Sequence, residues 1–112
     1  MKIAFSTIGK DLSAPMDLRF GRAVNYLIYD TATKTVLAIK NDYADAGQGA
    51  GIKAAETILK AGASVLVTGD CGPKAFNVLK QANVKIYSAK NVSVSEALAA
   101  FETKSLPEIT TA

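Results

Sequence analysis

The sequence predicts an α/β fold: one domain built on a single mixed sheet of five strands, with helices on both faces. Three observations carry this. Apolar residues alternate with the period of a strand as far as Lys40, and beyond Gly51 they recur with the spacing of a helix. The break Thr31-Ala32-Thr33-Lys34 is so short that the extended runs on either side of it read as an antiparallel hairpin. Ser64 to Thr68 (SVLVT) is a nearly continuous apolar run between two helical patterns, as expected of a strand covered on both faces.

With 112 residues, 49% of them hydrophobic and 21% charged, the chain has the size and composition of one domain that buries a core. Met1 to Thr7 is the first strand, with Ile3, Phe5 and Thr7 on one side and Ala4 and Ser6 on the other. Val24 to Asp30 and Thr35 to Lys40 form the hairpin. Asn41 to Gly51 is a turn-rich loop. The first helix places Ile52, Ala55, Ile58 and Leu59 on one stripe and Lys53, Glu56, Thr57 and Lys60 opposite, and Gly62 supplies the left-handed stop. After the SVLVT strand, Pro73 suits the first position of a second helix, which turns Ala75, Phe76, Val78, Leu79 and Ala82 inward and ends near Asn83. Val84 to Tyr87 is a further strand. Ser93-Val94-Ser95-Glu96 has capping-box spacing ahead of a last helix with Val94, Ala97, Leu98 and Phe101 on its stripe. The domain should span residues 1–102, with 103–112 a flexible tail.

Right-handed crossovers make the last two strands parallel to the first and leave the hairpin as an antiparallel extension, giving the sheet order 3-2-1-4-5. The loops after strands one, three and four then share one edge, outside the carboxyl ends of the strands, where ligands of open α/β sheets bind.

Composition removes several functions. Thirteen Lys and Arg against ten Asp and Glu give +3, but the lysines are spread singly from Lys2 to Lys104 and are not interleaved with aromatic residues. A nucleic-acid surface is therefore not expected, whereas a small anionic partner suits the mild basic excess. Cys71 is the only cysteine and histidine is absent, which excludes an internal disulfide, a closed zinc site from one chain, a Ser-His-Asp triad and any histidine base. No catalytic constellation appears, so an enzyme is not expected. Asp11, Asp17, Asp42, Asp45 and Asp70 read as solvated turn residues; a metal-dependent hydrolase would need several of them to converge. No apolar run approaches the ~20 residues of a bilayer span, so no membrane partner is expected and a soluble, cytoplasmic chain is.

Gly49-Ala50-Gly51 and Gly72-Pro73-Lys74 each lead into a helix, whose first N–H groups and dipole favour an anion. Arg19, Arg22 and Lys74 add charge near the same edge. Cys71, one residue ahead of a helix N-terminus, is the only soft metal-ligand candidate. Its place favours thiolate, while Asp70 beside it works against one.

The same three loops resemble a known family. Asp17-Leu18-Arg19-Phe20-Gly21-Arg22-Ala23, Gly49-Ala50-Gly51-Ile52-Lys53-Ala54-Ala55-Glu56 and Thr68-Gly69-Asp70-Cys71-Gly72-Pro73-Lys74-Ala75-Phe76 are similar to three ordered signatures of the dinitrogenase iron-molybdenum cofactor-binding proteins, the NifX-type carriers and small orange-protein-like members among them. The resemblance implies a ribonuclease-H-like fold without nuclease activity. It also implies an edge that binds or carries an iron-molybdenum or related molybdenum/iron–sulfur cluster during cluster assembly or storage. Arg19, Phe20, Gly21, Arg22, Gly49, Ala50, Gly51, Gly69, Gly72, Pro73 and Lys74 would contact the cluster. Other members often use a histidine ligand, frequently at the position of Arg19; here Cys71 would replace it as the metal ligand, or the cluster would be held non-covalently. The alternative is a ligand-free regulatory or scaffold module that binds an assembly protein. A homodimer is compatible with either reading.

Overall fold

A computed structural model describes residues 1–111. Its elements are β1 (Lys2–Thr7), β2 (Asn25–Asp30), β3 (Thr35–Lys40), α1 (Ala50–Lys60), β4 (Val65–Thr68), α2 (Pro73–Gln81), β5 (Lys85–Ser88) and α3 (Val94–Glu102). The sheet is five-stranded in the order β3-β2-β1-β4-β5, as expected. β1 pairs antiparallel with β2 and parallel with β4, so β1 occupies the centre, where the winding direction reverses.

Strand alternation divides the core into two layers. Ala4, Tyr26, Ile28, Leu66 and Ile86 pack with Ala54, Ala55 and Ile58 of α1 and with Ala75, Phe76 and Leu79 of α2. Ile3, Phe5, Leu27, Tyr29, Val65 and Val67 pack with Val94, Ala97 and Leu98 of α3. Helices therefore cover both faces, two on one side and one on the other.

Local signals set most boundaries. Gly62 and Asn83 both adopt positive φ just beyond α1 and α2. The capping box at α3 is complete, with the Ser93 side chain accepting from Glu96 N–H and the Glu96 side chain accepting from Ser93 N–H. α1 starts at Ala50, two residues earlier than its apolar stripe begins, and it buries Ala54 more fully than Ile52 or Leu59. Alanine at that position lets α1 sit close to the sheet, with Ile58 buried beside it and Ile52 and Leu59 left at the margin.

The expected tail differs most. Ser88 N–H donates to Pro107 O at 2.9 Å and Ile109 N–H to Ile86 O at 2.7 Å, so the segment after α3 runs antiparallel along β5. Leu106 and Ile109 pack against opposite core layers. An exposed strand edge and two apolar side chains outweigh the polar composition that suggested fraying. Ala112, the last residue of the expected tail, lies outside the described residues.

Candidate functional site

The carboxyl ends of β1, β3 and β4 open on one edge, and their loops are fastened to one another. Asp17 organises the first loop from within. Its carboxylate accepts the Arg19 and Val24 backbone N–H groups at 3.0 and 3.2 Å, and the Arg19 guanidinium at 3.1 Å through both Nε and Nη2. Burial alone would raise its pKa, but these hydrogen bonds and the Arg19 charge prevail and hold the carboxyl below its ordinary range. Below it, the Ser6 hydroxyl reaches both the Asp17 carbonyl and the Thr68 hydroxyl at 2.7 Å, joining the ends of β1 and β4.

Close backbone contacts complete the frame. A Cβ on Gly69 would fall 2.6 Å from Leu18 O, and the neighbouring Asp70 N–H donates to that same oxygen at 2.8 Å. A Cβ on Gly21 would fall 2.8 Å from Gly51 N, and one on Gly51 would lie 3.3 Å from the Ala75 Cβ. The first loop is thus wedged against the starts of β4's loop and of α1, and α1 against α2. Asn41 adds a clamp: its Nδ2 lies 3.0 Å from Gly21 O, 2.9 Å from Ala23 O and 3.1 Å from the Tyr26 hydroxyl.

Between the two helix starts lies a shallow cleft of about 310 Å³, lined by Gly49, Gly51, Ile52, Gly72, Pro73, Lys74 and Ala75. Neither α1 nor α2 has a side-chain N-cap among the described residues, and neither has an acidic residue in its first turn. α3 has both. The cleft therefore receives the positive ends of two helices at once, together with the exposed Lys74. A comparable hollow of about 380 Å³ beside Met1, Tyr87, Phe101, Glu102, Lys104 and Leu106 has no helix start in its walls.

The other expected contacts lie around this cleft in different roles. Phe20 is 2% exposed and packs on Tyr26, so its ring belongs to the core and supports the edge from below. Ala50 and Gly69 are buried, and of these Ala50 brings only its backbone to the start of α1. Arg19 is spent on Asp17, although most of its side chain stays exposed. Arg22 donates through Nη1 to Ala44 O and Ala46 O at 2.8 and 2.7 Å, tying the loop after β3 to the first loop. Lys74 is the one expected cation on the cleft wall.

Of the two opposing influences on Cys71, burial adds to the one against thiolate. Half-buried against the α1/α2 layer, its thiol is pushed up to about 11 by desolvation. No group of three or more Cys, Asp or Glu side chains among the described residues is arranged to hold a metal ion. Lys90, unremarked in the sequence, stands 3.4 Å from Asp70 and offsets the charge next to Cys71. Asp17 and Asn41 also escaped sequence reading as site residues, because turn-forming Asp and Asn look alike whether they end a strand or clamp a loop. The one available signal for Asn41 was its position directly after a strand.

Fold and site define a small α/β domain whose loop edge gathers two helix starts without side-chain caps, and Lys74, around one shallow cleft. The chain belongs to the dinitrogenase iron-molybdenum cofactor family, whose model matches residues 1–104. The chain is similar to the apo form of the orange protein from Desulfovibrio gigas, with a TM-score of 0.94 and 35% identity over 98% of this chain and 93% of that one. It is also similar to a putative NifB protein from Thermotoga, with a TM-score of 0.88 and 38% identity over 99% and 95% of the two chains. Uncharacterized protein MJ0580 of Methanocaldococcus jannaschii is 29% identical over 104 residues, 90% of this chain and 85% of the relative. No described helix is long and apolar enough to cross a membrane.

Proposed function

We propose that this protein is a carrier for a preformed, anionic iron-molybdenum or related molybdenum/iron–sulfur cluster, held at the cleft between α1 and α2. The observation that carries this reading is the pair of helix starts, both without side-chain caps or acidic residues, facing one cleft with Lys74. Family membership supports the class of ligand. The donor set determines the manner of binding. One neutral thiol and no histidine cannot supply the several soft ligands on which a cluster is built. Backbone N–H groups and lysine, by contrast, suit the outer sulfur and oxygen atoms of a finished cluster. Cys71, adjacent to the start of α2, would at most add one bond once a metal displaces its proton.

The test is anaerobic incubation with molybdenum- and iron-containing clusters, followed by metal analysis and an absorption spectrum. Stoichiometric metal that is retained by Cys71→Ala and lost from Lys74→Glu supports the reading. Failure of the folded protein to retain any cluster refutes it.

A further inference from the structure

The sheet treats its two edges differently. The β5 edge is covered by the segment around Pro107 to Ile109, whereas no described segment covers β3. β3 keeps full register with β2 from Thr35 to Lys40, and the stretch Val36–Ile39 contains no proline or charge. Two of its side chains are among the exposed large hydrophobics, Val36 at 38% and Leu37 at 58%. Natural edges of this kind are normally blunted.

The hydrogen-bond alternation shows which groups are free. Asn41 N–H donates to Val24 O, so Asn41, Ile39, Leu37 and Thr35 turn their backbone toward β2. Val36, Ala38 and Lys40 turn theirs outward. A strand added to this edge must therefore bond to those residues.

Self-pairing about a two-fold axis keeps each side chain on its own face, so a residue can oppose only itself or residues an even step away. With Leu37 on the axis, Lys34 meets the partner's Lys40, a like-charge contact. With Ala38 on the axis, Lys34 approaches the partner's Asp42 at both ends of the ladder. Leu37 then meets the partner's Ile39 on the α1 face, and the Lys40 stem covers the partner's Val36. In this register Val36, Ala38 and Lys40 are also the residues whose outward N–H and C=O groups bond across the axis. Backbone parity admits both registers, and charge selects the one centred on Ala38.

We infer that the free edge of β3 is a self-association surface, on which a second copy of this chain adds its own β3 antiparallel about a two-fold axis at Ala38. Because the strands run in opposite directions across the axis, the two clefts point away from each other. Each copy keeps its own ligand site, and the Cys71 thiols do not share a cluster. One strand edge and a narrow apolar strip fall short of the roughly 1,200–2,000 Å² of a stable interface, so the dimer forms in proportion to concentration.

Sedimentation equilibrium across a range of protein concentrations tests this, with amide exchange measured at both ends of the range. Exchange at Val36, Ala38 and Lys40 slows as concentration rises, while Leu37 and Ile39 do not change. Lys34→Asp and Asp42→Lys each weaken the dimer about tenfold, and the double variant returns to within about threefold of the parent. A monomer at every concentration, a dimer indifferent to either single change, or a double variant that stays weak overturns the inference. So does an edge that captures an unrelated strand peptide without self-association.

Discussion

Gly21 and Gly51 meet backbone to backbone: a Cβ on Gly21 would lie 2.8 Å from Gly51 N and 2.9 Å from Gly51 Cα. This contact sets where α1 begins relative to the first loop, and so sets one wall of the cleft. Because the opposing atoms are main chain, no side-chain rotation relieves the overlap.

Gly21→Ala is accordingly expected to destabilise the protein by about 1–3 kcal/mol and to weaken ligand retention. Urea titration measures the first and metal analysis the second. Gly72→Ala is the matched control, since nothing lies within 4 Å of its Cβ and its φ of −67° suits alanine. Its stability should stay within about 0.5 kcal/mol of the parent.

Gly72→Asp separates stability from function. The extended N-cap conformation of Gly72 accepts aspartate, whose carboxylate would cap α2 and complement its dipole. The variant should hold or gain up to about 1 kcal/mol in thermal or urea unfolding and lose the ligand, because its own negative charge takes the ligand's place. Undiminished binding would show that the start of α2 is not the contact.

Asp17 gives the edge a pH dependence. Its folded pKa lies below the ordinary carboxylate value of 3.8, so the unfolded chain binds the proton first as pH falls. Its contribution is complete above that value and fades as pH drops through the lower folded one. Asp17→Asn should therefore cost about 1–2 kcal/mol at pH 7, a difference that narrows in acid. Urea titrations of both proteins from pH 7 to pH 3 measure it.

Cys71 behaves in the opposite sense at high pH. With a thiol pushed from 9.0 to about 11, the unfolded chain ionises before the folded one, and stability declines across that interval. Alkylation by iodoacetamide should be slow near neutrality and accelerate toward pH 11, as thiolate forms. Rapid labelling at pH 7 of the folded chain would contradict the burial.

Removal of residues 105–112 should cost about 2 kcal/mol, because it strips the partly buried Leu106 and Ile109 from the two core layers and bares the β5 edge. Calorimetry of the shortened chain measures this loss. A neutral truncation would restore the frayed-tail expectation.

Element type and order were legible because each rests on local chemistry: the period of the apolar residues, Pro73 at a helix start, Gly62 and Asn83 at helix ends, and the Ser93–Glu96 box. Residue spacing also showed that three loops share an edge, and the motifs within them pointed to the family. What each loop residue does there was not legible. Phe20 and Lys74 stand in equally suggestive motifs, yet one is core and the other lines the cleft.

The sequence by itself thus determined the architecture and the edge that three loops share, because periodicity and turn chemistry act between neighbours in the chain. Tertiary structure alone decided that Arg19 and Arg22 serve the loops, that Cys71 is half-buried, that the last segment closes β5 and that β3 is left open. Those outcomes depend on which distant groups compete for the same hydrogen bonds and on how far each is removed from water, and both follow only once the chain has packed.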